Sequence, residues 1–129
     1  MEFTLKTNIK ATAKQIYKAW LSTQGHTKMT GGVAFTSDKV GDTFTAWGDF
    51  IKGENLILEP YNKIVQSWRS TSFKDDEEDS QIEVMLTELK GETELTLTHR
   101  YVPESGDHYI KGWEEHYITP MKNYFEYLN

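Results

Sequence analysis

Cysteine is absent from all 129 residues. That excludes a disulfide framework and a thiolate nucleophile, and it fits a reducing compartment. No apolar run reaches the roughly 18 residues that a membrane-spanning helix needs. The opening MEFTLKTNIK has neither the basic segment nor the apolar core of a secretory signal. A cytoplasmic protein that does not insert into membranes is expected. Positive charge is also scarce: 14 Lys and Arg stand against 20 Asp and Glu, for a net charge of -6, with no basic cluster. Because nucleic-acid affinity is mostly cation-driven, nucleic acid is set aside as a partner.

Catalytic and cofactor motifs are missing in the same way. There is no G-x-G-x-x-G, no P-loop, no G-x-S-x-G elbow and no H-E-x-x-H. Dinucleotide binding, nucleotide hydrolysis and serine-esterase chemistry therefore lack a phosphate cradle or a strained nucleophile. Of the four histidines, His116 follows Glu114-Glu115 but has no second histidine one turn away, so neither a metal site nor a cofactor is expected.

What the chain does contain is alternation followed by a helix. Phe3, Leu5 and Ile9 alternate with polar residues and predict a strand. Thr12 and Gln15 have capping-box spacing ahead of Ile16, Tyr17, Trp20 and Leu21, which predicts a helix. Residues 22–32, ending in Gly31-Gly32, read as a second short helix or an irregular turn. From Val33 to Val102 the pattern is strands with turn punctuation. Ile64, Gln66 and Trp68 share one face, Ile82, Val84 and Leu86 another, and Leu95, Leu97, His99 and Tyr101 form the longest alternation. Each strand has one wet side, as in an antiparallel sheet covered on a single face. In Gly53 to Leu58 three consecutive apolar residues leave the facing open. Asp75 to Asp79 reads as a solvated hairpin loop, with an acidic docking patch as the alternative. Asp107 to Leu128 then predicts one long helix whose stripe is Tyr109, Trp113, Tyr117, Met121, Tyr124 and Leu128. Gly112 and Pro120 inside it are costly, and packing explains both: close approach to a strand at Gly112, a bend or split at Pro120.

The expected architecture is one α+β domain over residues 1–129, a curved antiparallel sheet wrapped around the C-terminal helix, with a cavity between them. Its candidate lining is Gln66, Trp68, Leu97, His99, Tyr101, Trp113, Tyr117 and Met121. Trp47 and Phe73, each beside a turn, are candidates for a cavity rim or a partner surface. His99 faces inward either as a hydrogen-bonded structural residue or as a group that orients a ligand, and Gln66 carries the same two readings.

The element order is similar to the helix-grip fold of the START and birch-pollen-allergen-like superfamily (SRPBCC). Gly41-Asp42-Thr43-Phe44 through Gly53 and Glu59-Pro60, Lys63 to Arg69, Gly91-Glu92-Thr93-Glu94-Leu95 and Gly112 to Tyr117 together resemble the C-terminal domain of activators of the ninety-kilodalton heat-shock chaperone ATPase. The eukaryotic activators carry a separate N-terminal domain with its own chaperone-contacting motif, which these 129 residues do not contain. The resemblance implies a stand-alone activator homologue. Three functions follow as expectations: binding of a small hydrophobic or amphipathic molecule without catalysis; a co-chaperone interaction module in the stress response; or a cyclase or aromatase in which His99 acts with Tyr101 or Gln66.

Overall fold

A computed structural model describes residues 1–129. The chain runs β1 (Phe3–Ile9), α1 (Ala13–Trp20), α2 (Thr23–Thr30), β2 (Thr43–Ala46), β3 (Ile51–Glu59), β4 (Lys63–Ser70), β5 (Ser80–Leu89), β6 (Glu92–Arg100), and a C-terminal helix in three segments. Those segments are α3 (His108–Trp113), a π-turn (Glu114–Ile118) and α4 (Thr119–Leu128). The six strands form one antiparallel sheet in the order β1-β6-β5-β4-β3-β2. Its inward residues, including Ile64, Ile82, Val84, Leu95 and Leu97, bury against Trp113, Tyr117, Met121 and Phe125 of the C-terminal helix. This is the helix-grip architecture expected from the alternation.

Local chemistry explains the entry to the fold. The Thr12 hydroxyl accepts from Gln15 N–H at 3.1 Å, and the Gln15 side chain accepts from Thr12 N–H at 2.9 Å, closing the capping box that starts α1. Ile16, Tyr17, Trp20 and Leu21 are all buried. Residues 22–32 resolve as helix α2, ended by Gly31 in the left-handed conformation at φ 85°. The ambiguous stretch in β3 contains a register shift between Asn55 and Ile57. The extra residue puts Leu56 and Ile57 both into solvent, which accounts for three apolar residues in a row within an alternating strand. The Asp75–Asp79 loop is solvated, and Arg69 pins it by donating to Glu77 O at 2.6 Å and Lys74 O at 2.7 Å.

Two sequence expectations are corrected. Tyr101 does not continue the inward series. Strand β6 ends at Arg100, Tyr101 takes φ 59°, and the side chain is 71% exposed. The left-handed residue breaks the period of two, and Val102 takes the inward place, its N–H bonded to Met1 O at 2.9 Å. On the C-terminal helix the buried set ends at Phe125, whereas Leu128 is 54% exposed and Tyr124 half-buried. The buried side chains thus repeat every four residues from Tyr109 to Phe125. In an α-helix each such step overshoots a full turn by about 40°, and the wider π-turn at Glu114–Ile118 takes back part of the drift. Thr119 N–H bonds to Glu114 O, five residues back, and Pro120, with no N–H to offer, starts the next segment.

The corrected stripe gives a stability test. Phe125→Ala should cost about 3–5 kcal/mol in urea unfolding, while Leu128→Ala stays within about 0.5 kcal/mol. A larger loss at Leu128 than at Phe125 would show that the helix sits in the register the sequence alone predicts.

Candidate functional site

One cavity of about 280 Å³ opens between the C-terminal helix and the β2–β3 end of the sheet. Trp47 and Phe50 reach it from the β2–β3 turn, Ile51 and Trp68 from strands β3 and β4, Tyr109, Gly112 and Trp113 from α3, and His116 and Tyr117 from the π-turn. The π-turn therefore fixes the helix positions and forms part of the wall. Gly112 is the informative one. A Cβ built there meets no atom within 4 Å, so the close approach to a strand expected from sequence is not its role. The missing side chain leaves open volume at the cavity.

Trp47 and His116, the latter exposed, meet edge to face at 5.2 Å in the cavity wall. Trp47 and Gly48, in the four-residue loop between β2 and β3, occupy the left-handed region at φ 51° and 68°, which is strained for a bulky side chain such as Trp47. The indole ring of Trp47 covers Gly32, where a Cβ would come within 2.4 Å of it. Its Nε1 is enclosed with no hydrogen-bond partner.

Of the residues proposed from sequence, Trp68, Trp113 and Tyr117 line the cavity and Trp47 rims it. Leu97 and Met121 do not. They border a void of only about 10 Å³ between the helix and β1, β6 and α1, where the core is filled. Tyr101 lies on the surface. Phe73 is buried rather than exposed, tilted against Trp68 at 6.0 Å and Tyr109 at 6.1 Å, because the residues just before the acidic loop fold back under Arg69. Phe50, Ile51, Tyr109 and His116 were missed. Tyr109 stood on the helix stripe and could have been taken from it. Phe50 gave no signal, because its place depends on how the β2–β3 turn folds over the helix.

Gln66 and His99 belong to buried networks behind the wall. Gln66 accepts from Trp20 Nε1 at 3.2 Å and donates to Asn55 Oδ1 at 2.8 Å. His99 is fully buried. Trp113 Nε1 can only donate, so at 3.0 Å it makes His99 Nδ1 the acceptor. The ring proton is then on Nε2, donating to Ser80 Oγ at 2.8 Å, and Ser80 donates onward to Trp68 O at 2.7 Å. His26 is determined likewise: Nδ1–H donates to Trp20 O at 2.8 Å, and Nε2 accepts from the Tyr117 hydroxyl at 2.8 Å. Burial drives His99 down to about 3 and His26 down to about 4, and it raises Tyr117 above its ordinary range. No group of three or more His, Cys, Asp or Glu side chains is placed to hold a metal ion.

A curved antiparallel sheet gripping a terminal helix over an aromatic cavity defines the class as a helix-grip domain of the SRPBCC type. The chain belongs to the family described as Activator of Hsp90 ATPase homolog 1-like protein, whose profile matches residues 10–126. No curated protein sequence matches it. Among solved structures it is similar to PFC0360w, an HSP90 activator from Plasmodium falciparum, with 22% identity, TM-score 0.84, and 92% of this chain and 91% of that one covered. It is also similar to the Aha1 dimer from Colwellia psychrerythraea, with 18% identity, TM-score 0.79, and 98% and 96% covered. CalU16 from Micromonospora echinospora is matched at 19% identity and TM-score 0.79, over 96% and 75% of the two chains. At these identities the likeness is one of fold. No helix is long and apolar enough to cross a membrane.

The two histidines make stability pH-dependent. Both are neutral when folded and free to protonate when unfolded. Their contribution is complete above the unfolded pKa of about 6.5. It is lost as pH falls from there toward about 4 for His26 and 3 for His99. Urea unfolding between pH 7 and 5 should show stability falling by up to about 1.4 kcal/mol per pH unit for each histidine. His99→Gln, which keeps an acceptor near Trp113, should reduce that slope to about half. A flat profile over this range would refute the neutral, enclosed assignment.

Proposed function

We propose that this protein is a non-enzymatic domain that takes a small hydrophobic or amphipathic molecule into the cavity beneath Trp47. The observation carrying this reading is Gly112. Glycine inside a helix costs about 1 kcal/mol relative to alanine, and here an alanine would fit without contact. A residue that is locally unfavourable and whose replacement is sterically allowed is explained by the volume it leaves empty. The wall adds support, being apolar and aromatic apart from His116. The volume, near the lower end of small-molecule sites at about 300 Å³, suits a compact ligand.

Titration of the protein with a panel of small apolar and amphipathic molecules, followed by chemical-shift changes, tests this. Shifts should concentrate at residues 47–51, 109–117 and Trp68. Gly112→Leu should abolish them in a protein that stays folded, and Gly112→Ala should raise stability by up to about 1 kcal/mol. Ligands that shift residues elsewhere, or that bind Gly112→Leu equally well, would sink the proposal.

Family membership favours a second reading, contact with a chaperone of the heat-shock-protein-90 class. Binding to that chaperone at tens of micromolar, with a change in its ATPase rate, is the expected outcome, and absence of both counts against it. A cyclase or aromatase reading would require His99 to exchange protons with a substrate. Both of its ring nitrogens are engaged inside the core, and it does not line the cavity.

A further inference from the structure

Resting on the cavity reading above, we propose that the ligand is an organic cation, a quaternary ammonium on a small apolar body. Seven of the nine lining residues carry aromatic rings, Trp47, Phe50, Trp68, Tyr109, Trp113, Tyr117 and the imidazole of His116, and Ile51 alone is aliphatic. A neutral hydrocarbon is accepted by aliphatic and aromatic walls alike. A positive charge distinguishes them, because ring faces carry negative quadrupole density. The polar atoms of these rings are largely committed to the protein. The Tyr109 hydroxyl pairs with Ser70, the Tyr117 hydroxyl with His26 and Trp113 Nε1 with His99, Trp47 Nε1 is enclosed without a partner, and Trp68 Nε1 is the one indole N–H left neither bonded nor enclosed. What they leave for a ligand is ring carbon and the single Trp68 N–H.

Charge selects in the same direction. No Lys, Arg, Asp or Glu lines the cavity. An anion would be desolvated against π-density with no permanently charged cation to pair it, His116 being the one basic side chain in the wall, in a chain of net charge -6. A quaternary ammonium has no N–H to leave unsatisfied, so it enters a wall that offers few acceptors without losing hydrogen bonds. Trp113 and Tyr117, with centroids 4.7 Å apart, and Trp68, 5.9 Å from Trp113, form one contiguous aromatic surface for it.

The test uses three probes of one shape: benzyltrimethylammonium, its uncharged carbon isostere neopentylbenzene, and the anion phenylmethanesulfonate. Each is titrated into the full chain and followed by tryptophan fluorescence and chemical shifts. About 0.5 M salt keeps attraction to the net charge screened. The cation should bind at least about threefold more tightly than the isostere, and the anion should not bind. Trp47→Leu, at a half-buried wall position, should lower cation affinity toward that of the isostere while the isostere is held nearly as before. A neutral probe binding as tightly as the cation, an anion binding comparably, a cation preference that vanishes in salt, or a Trp47→Leu loss equal for both probes would each overturn the cation assignment and leave the cavity reading standing. Failure of every probe to bind folded protein would remove both.

Discussion

The structure depends on reconciling a side-chain repeat of four with a helix that turns every 3.6 residues. Tyr109, Trp113, Tyr117, Met121 and Phe125 are all buried on one sheet. Four steps of an unbroken α-helix would leave Phe125 about 160° away from Tyr109 around the axis, close to the opposite side. The π-turn at Glu114–Ile118 widens the winding midway, and Pro120 occupies the point where a backbone donor can be spared. Both ends of the helix can then face the concave sheet. The core on either side of the turn differs as a result, closely filled beside α4 and open beside α3.

Two buried histidines hold that geometry from opposite sides. Trp113, in the last turn before the π segment, is tied through His99 and Ser80 to Trp68 O, linking the helix to β6, β5 and β4. Tyr117, one turn later, is tied through His26 to Trp20 O at the end of α1. Each chain of hydrogen bonds is satisfied only with a neutral imidazole in a single tautomer, so a slip of the helix would strand several polar groups in an apolar interior. These residues stand just behind the cavity, and their contribution to a site is to fix the rings that form its wall.

Strand and helix periodicity was largely visible in the sequence, because it follows from one-dimensional spacing: the capping box at Thr12, the alternation of Leu95, Leu97 and His99, and the acidic loop all lie where the pattern predicts. The errors occur where backbone conformation changes the period. Tyr101 would face inward but for one left-handed residue, and the bulge at Asn55–Ile57 and the π-turn each insert a residue that no apolar count reveals. The cavity was only half legible. Trp68, Trp113 and Tyr117 were found through their faces, whereas Phe50 and Ile51 depend on the fold of a turn across the helix. Gly112 was noticed for its cost and given the wrong reason, since spacing alone cannot tell a glycine that admits a neighbour from one that leaves space.

An enclosed dry void of about 280 Å³ would be expensive. At roughly 24 cal/mol per Å³ it would remove several kcal/mol, comparable with the whole stability of a domain this size. The cavity is tolerable because it is partly open rather than sealed, so water can occupy it in place of vacuum. That water finds few partners, since most polar atoms of the aromatic wall are already bonded within the protein. Water held against apolar surface without its usual hydrogen bonds is displaced with a net gain. Under the proposed reading, a molecule that displaced such water would gain by doing so, and the turn carrying Trp47 borders the cavity it would enter.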